Sequence, residues 1–398
     1  MDSFRPLVRF AGFEGEWERV RLGEIAQFFK GKGYSKNDLT EKGSPIFLYG
    51  MMYTKYRFAV NEVDTYTDKD FSSLLSQGNE VIIPASGETA EDIACASAFL
   101  IKDVILGGDL NVICFDLSLY STPFIALSIS NGSSRKYLSK CAQGKSVVHL
   151  RNSDIKTVVL SLPSLPEQQK ISECFTEIDR AISLQTEKLS KLKQIKAASL
   201  QNMFPHEGET VPLVRFSGFG GEWKKVPFAE IAVRAEQSGV SGELPGVEYE
   251  DIVSGQGILN KDILKKECVK CGKLFHSGDI LFGKLRPYLK NILFADFDGV
   301  AVGDFWVLRS TNSVNRFLYT IVNSYSFMKV ANVSSGSKMP RADWKLVSST
   351  RFAVPPTIEE QQAIANYFTK LDRKIDLETQ KLAKLKQIKS ACLSKMFV

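Results

Sequence analysis

The sequence predicts an α+β protein: two compact mixed domains separated by a pair of long antiparallel coiled-coil helices, the whole duplicated about a pseudo-two-fold axis. Three observations carry this. "KLSKLKQIK" at residues 188–196 returns as "KLAKLKQIK" at 381–389, from Lys188 to Lys381 an offset of 193. "PLVRFAGFEGEWERV" at 6–20 returns as "PLVRFSGFGGEWKKV" at 212–226, from Pro6 to Pro212 an offset of 206. Between these frames lie two regions, 22–160 and 228–353, with little similarity at fixed offset. The order is head, variable region, helix, and then the same again, as expected of a duplicated unit whose frame was kept while its contents diverged.

Length and composition bound the reading. A chain of 398 residues can form two or three domains with cores of their own. A 44% hydrophobic and 24% charged composition argues against wholesale disorder. No 18-residue uncharged apolar run exists, and Arg5, Arg9 and Glu14 interrupt the start, so neither a membrane span nor a secretion leader is expected. Seven scattered cysteines suit a reducing cytoplasm. The net charge of +6 permits a polyanionic partner without requiring one.

The heads are short, Gly- and Trp-bearing segments. The variable regions contain apolar runs broken by Gly, Pro and Asp: "NEVIIPASG" at 79–87, "GDILFGKLRPYLKNILFADFDGV" at 278–300 and "FWVLRS" at 305–310. They read as strands and turns of a twisted, mostly antiparallel sheet, with short helices such as one over 317–330. The long helices follow proline-bearing lead-ins, and residues 167–204 align without gaps on 360–397 with 23 of 38 pairs identical. Ile171, Phe175, Ile178, Ile182, Leu189 and Leu192 fall on a 3–4 spacing, matched by Ile364, Phe368, Leu371, Ile375, Leu382 and Leu385. So narrow a stripe is a helix-pairing seam, and each copy is the obvious partner of the other. Gln185 and Glu378 are polar residues at the same seam position. The repeated lysines lie mostly off the seam. They form either a solvated face or a track for phosphates.

Catalytic chemistry is not visible. "FSGFG" at 216–220 matches a methyltransferase cofactor loop, but its duplicate "FAGFE" lacks the last glycine and no Asn/Asp-Pro-Pro-aromatic tetrad exists. "GKS" at 144–146 lacks the earlier glycine of a phosphate loop. Cys268 and Cys271 with His276 have no second pair at zinc-ligand spacing, so no metal and no cofactor are expected. What stands out is cations interleaved with aromatics and small residues, the side chains that duplex phosphates and base edges require. "FFKGKGYSKNDL" at 28–39 offers Lys30, Lys32, Tyr34 and Lys36 on a glycine-loosened loop. "FLYGMMYTKYRF" at 47–58 offers Tyr53, Thr54 and Tyr56, and residues 131–146 offer Arg135, Lys136 and Lys145. In the second region "GKLRPYLKN" supplies Lys284, Arg286, Tyr288 and Lys290, and "SSGSKMPR" supplies Ser337, Lys338 and Arg341.

The chain resembles the specificity subunits of type I restriction–modification systems. The resemblance covers nearly the whole chain. It rests on the heads (Gly15-Glu16-Trp17, Gly221-Glu222-Trp223), the lead-ins "LPSLPEQQ" and "VPPTIEEQQ", and "YGMMYTKY", "SGETAEDI" (opening at Ser86) and "GDILFGKLRPYLKN". The first lead-in departs slightly, with Leu165-Pro166 in place of a double proline. The resemblance implies a target-recognition domain over 1–161, a spacer helix over 162–205, a second recognition domain over 206–354 and a second spacer helix over 355–398. It also implies binding of double-stranded DNA at a split, asymmetric site without catalysis, with Ser86 among the DNA-facing residues. The implied partners are two adenine-N6 methyltransferase subunits and the restriction translocase/endonuclease subunits, in the cytoplasm. The rivals are a methyltransferase or nuclease with a coiled-coil insert, and a coiled-coil scaffold that binds no DNA.

Overall fold

A computed structural model describes residues 6–68, 73–144, 146–242, 244–263, 269–333 and 339–397. The chain forms two compact units, Met1–Gln185 with Lys381–Val398, and Thr186–Gln380. Each unit therefore takes a head, a variable region and a stretch from both long helices, Leu165–Asn202 and Ile358–Met396.

In the first unit, strand Glu18–Arg21 pairs antiparallel with Val159–Leu162, Glu18 opposite Leu162. This clasp draws both ends of the variable region together just before the first long helix. Inside it a five-stranded sheet runs Ala26–Lys30, Leu110–Phe115, Glu80–Pro84, Ser97–Phe99, Ala59–Val60. All its pairings are antiparallel except the last. The central Val81-Ile82-Ile83 run is wholly buried, as a β-branched strand covered on both faces must be. A smaller sheet runs Tyr66–Thr67, Ser44–Phe47, Lys102–Leu106, Leu75–Gln77.

The second unit repeats the plan from a dissimilar sequence. Lys224–Pro227 and Arg351–Val354 form its clasp. One sheet runs Ala232–Ala235, Phe305–Ser310, Ile280–Gly283, Ile292–Phe294 and another Ser238–Val240, Cys271–Phe275, Gly299–Ala301, Gly246–Val247. The single helix expected over 317–330 is two, Asn315–Asn323 and Tyr325–Ala331. Ser324 stands extended between them, and its hydroxyl accepts from the Phe327 N–H at 3.3 Å, starting the second. Two basic stretches carry regular structure, the first of them where a loop was expected. Residues 28–30 belong to the edge strand Ala26–Lys30, and Gly132–Cys141 is a helix.

The long helices run antiparallel within each unit. In the first, Phe175 packs on Phe397 (5.9 Å between ring centroids) and Asp179 pairs with Lys389 at 2.5 Å. In the second, Lys188 pairs with Glu378, Lys196 with Asp372 at 2.7 Å, and the Ser199 and Tyr367 hydroxyls bond at 2.8 Å. The first pair is the duplicate of the third, since Asp179 and Lys196 plus 193 are Asp372 and Lys389. The final lysine of each repeated string therefore joins helix to helix. None of the twelve seam residues is exposed. Met396 and Phe397 end the second helix inside the first unit's core, with Phe397 against Phe124 at 5.7 Å. Met203 and Phe204 do the same in the second unit, with Phe204 against Phe317 at 6.1 Å. The Val8 N–H donates to the Lys395 carbonyl at 3.1 Å, and its duplicate Val214 to Asn202 at 2.9 Å. Each head thus sits on the end of a long helix, joined through the chain in the second unit and by contact alone in the first.

Candidate nucleic-acid interface

Each head is locked by one arginine. Arg9 donates through Nε and Nη2 to both Glu167 carboxylate oxygens at 2.6 Å, and through Nη1 and Nη2 to the Gly15 and Glu14 carbonyls. Arg215 repeats this on Glu360 at 2.7 and 2.8 Å, and on the Gly221 and Gly220 carbonyls. The cofactor-loop-like "FSGFG" is the turn that offers the Gly220 carbonyl, and Gly221 follows it directly. Gly218 stands at a φ of 91°, which favours glycine. Both carboxylates are buried at the first turn of a long helix, where negative charge is favoured.

In the second unit, Gly283 ends a central strand, and the turn after it carries Lys284, Arg286, Tyr288 and Lys290. Arg286 and Lys290 adopt left-handed backbone conformations (φ 51° and 52°) on either side of the short 3-10 turn Pro287–Leu289. Non-glycine residues held there carry strain, which concentrates at functional sites. The turn is fixed to the segment bearing Arg341: the Arg286 N–H donates to the Pro340 carbonyl and the Ala342 N–H to the Lys284 carbonyl, at 2.8 and 2.9 Å. Leu285 and Arg341 form a β-bridge. Asp304 lies under both, its carboxylate 3.3 Å from Lys284 Nζ and 2.9 Å from Arg341 Nη2. The half-buried Tyr249 hydroxyl donates to the Asp304 carbonyl at 2.6 Å, and its partial burial pushes that phenol up to about 12. Lys284, Arg286, Tyr288, Lys290 and Arg341 are thus brought together. Ser337 and Lys338 lie outside the described residues.

The first unit builds the same end of its sheet. Gly31 N–H bonds the Leu110 carbonyl, Ala85 N–H the Asp109 carbonyl and Leu150 N–H the Ala85 carbonyl, at 3.0, 2.7 and 3.0 Å. Ala85 to Asp109 is the counterpart of Lys284 to Asp304, at 2.9 Å in the second unit. Ser86 pairs with His149, Oγ to Nδ1 at 3.1 Å, where the second unit pairs Leu285 with Arg341. The Tyr53 hydroxyl donates to the Ser86 carbonyl at 2.7 Å, and Arg135 Nη2 to the Glu91 carbonyl at 3.2 Å. Lys30 and Lys32 leave the neighbouring strand at this end. Among the described residues no ion pair holds Lys30, Lys32, Lys36, Lys136, Arg286 or Lys290, and all six are exposed. Lys36 begins a 3-10 turn closed by Ser35 and Asp38, and Lys136 follows Arg135 on its helix.

Of two tyrosine and one threonine candidates, only Tyr34 is withdrawn from the surface, while Tyr56 and Thr54 stay exposed. Tyr34 is buried with Ile46, Leu48 and Ile105, its hydroxyl 2.5 Å from Ser73 Oγ, so its ring is core. Tyr56 turns its hydroxyl onto the Ala96 carbonyl at 3.1 Å and keeps ring surface exposed. Thr54 caps its own helical turn, donating to the Gly50 carbonyl at 3.1 Å. Lys145 lies outside the described residues. Sequence reasoning missed Asp304, Tyr249, Glu91 and His149. A Gly-Asp turn before "FWVLRS" was the available signal for Asp304.

Cys268 lies outside the described residues, and His276 is hydrogen-bonded to Asp298 at 3.1 Å. Among the described residues no three His, Cys, Asp or Glu side chains gather as a metal site. Burial pushes the Cys95 and Cys114 thiols up to about 12 and about 11, so neither is a poised nucleophile. Among the described residues no helix is long and apolar enough to cross a membrane.

A family model described as the type I restriction modification DNA specificity domain matches residues 14–194 and 223–387. The chain is 22% identical over 427 residues to the Methanocaldococcus jannaschii type I restriction enzyme MjaVIII specificity subunit, covering 95% of this chain and 91% of that protein. It is 20% identical over 299 residues to the EcoDI specificity subunit of Escherichia coli, covering 66% of each. The fold matches the crystal structure of a type I restriction-modification system S subunit from M. genitalium, with a TM-score of 0.64, 15% identity and 99% of each chain covered. A structure reported for complex assembly and conformational transition of the type I R-M system matches at a TM-score of 0.54, with 17% identity over 97% of this chain and 98% of that one. With both halves matched, the chain belongs to the type I restriction modification DNA specificity family and is a DNA sequence-specificity subunit.

Proposed function

We propose that this subunit reads a split, asymmetric site on double-stranded DNA, one half by each variable domain, and carries no catalysis of its own. Residues 1–161 and 206–354 act as the readers, and 162–205 and 355–398 as the spacer. One observation carries the reading. From dissimilar sequences, both units build the same sheet end, where a turn leaving a central strand is bonded to a distant segment and rimmed by exposed cations. Phosphate contacts from such cations position a duplex, and side chains at the turn reach base edges. The working partners in this reading are two adenine-N6 methyltransferase subunits and the restriction translocase/endonuclease subunits, in the cytoplasm. The long helices offer duplicate apolar footholds for two copies of one partner. Leu184 and Ile388 are exposed in the first unit, and their duplicates Leu377 and Ile195 in the second.

The test is salt-dependent binding of the full chain, co-purified with its methyltransferase subunits, to a duplex carrying its site. Lys30→Ala, Lys32→Ala, Arg286→Ala and Lys290→Ala should each weaken binding to target and non-target duplex alike. Each should lower the slope of log K against log salt by about one where a phosphate contact is lost. Unchanged affinity and slope in all four variants would place the duplex elsewhere.

A further inference from the structure

Within that reading, the cations of the second unit divide into two kinds. Arg286 and Lys290 are exposed on a strained turn with no carboxylate partner among the described residues, as suits phosphates. Arg341 is different. Its side chain is 59% exposed, yet Nη2 is held by Asp304 at 2.9 Å. The same carboxylate holds Lys284 on the other side. Asp304 is itself immobilised, because its carbonyl accepts from the Lys284 N–H at 2.9 Å and from the Tyr249 hydroxyl at 2.6 Å. Tyr249 stacks on Phe305 at 4.5 Å and accepts from the Leu285 N–H at 3.1 Å.

We infer that Arg341 is a specificity-determining residue that reads a guanine in the half-site of the second domain, with Asp304 as its positioning residue. A guanidinium donates two parallel bonds to guanine O6 and N7 only when its plane is fixed. A carboxylate on Nη2 restrains that plane, and Nε and Nη1 have no hydrogen-bond partner among the described residues. The negative charge also discourages Arg341 and Lys284 from settling on any phosphate they meet, which sharpens discrimination as well as aim. The first unit supplies a contrast at the same position, where His149 bonded to Ser86 replaces Arg341. A different side chain on the same mount would give each half-site a different base.

The inference rests on the DNA-reading proposal, and its test separates the two. The full chain with its methyltransferase subunits is bound to the duplex of its methylated motif and to duplexes with each base pair of the second half-site changed in turn. Arg341→Gln should lose about tenfold or more of the discrimination at one G·C pair and keep it elsewhere. Asp304→Asn, which preserves both carbonyl contacts, should lose part of the discrimination at that same pair. It should also bind non-target duplex more tightly, with a steeper salt slope. Uniform weakening of Arg341→Gln on every sequence would make it a phosphate contact and overturn the inference. An unchanged base profile in both variants would also overturn it. A wild-type complex with no sequence preference would instead remove the DNA-reading proposal, and the inference with it.

Discussion

Replacing residues 22–160 with the matching region of a relative should exchange one half of the methylated motif completely and leave the other half untouched. The clasp makes the exchange feasible, because Glu18–Arg21 and Val159–Leu162 pair in fixed register at the two cut points. The core around Phe124 crosses the cut, receiving Trp17 at 5.8 Å and Phe397 at 5.7 Å, and Ser121 bonds Gln168 and Ser172 of the long helix. An aromatic at the Phe124 position in the donor region should therefore decide whether a swap folds. Motif sequencing of methylated DNA reads the outcome. A change in both halves would mean that the two domains do not read separately.

Glu360→Ala should destabilise the second unit by about 3–5 kcal/mol, the usual result of leaving a buried charge without its partner. Its carboxylate is 1% exposed and accepts from Arg215 Nε and Nη2, and from Trp223 Nε1 at 3.3 Å. Removing it strands a guanidinium that also orders the head turn. The paired change Arg215→Met with Glu360→Leu should recover much of the loss, because no buried charge remains. Glu167→Ala should act likewise in the first unit. The readout is the shift in urea midpoint of the transition that unfolds the affected unit. A loss below about 1 kcal/mol would show that the pair behaves as an exposed one.

The duplicated frame was legible in the sequence because it is written in local patterns. The 3–4 apolar spacing, the Glu at each helix start and the repeated head string fix helices and their ends without reference to distant residues. The interface was legible in part. "GKLRPYLKN" identified the turn, but neither its left-handed residues nor its bond to Pro340 can be read from spacing. Asp304 was missed because its meaning comes from two residues, Lys284 and Arg341, that the sheet brings to it from 20 and 37 positions away. Tyr34 was misassigned for the same reason. A tyrosine between lysines and glycines looks like a surface aromatic, and only the second sheet, through Ile46 and Ile105, shows that it is core. The lysine strings were ambiguous until Asp179 and Asp372 appeared opposite Lys389 and Lys196.

In the proposed function, one chain reads two separate blocks of DNA sequence. The direct measurement is single-molecule methylome sequencing of a host carrying this subunit with its methyltransferase and restriction partners, compared with a host lacking only this subunit. The expected result is one adenine-methylated motif made of two short, different blocks separated by a gap of fixed length and no sequence preference, absent when the subunit is absent. A single continuous motif, or methylation that persists without the subunit, would contradict it.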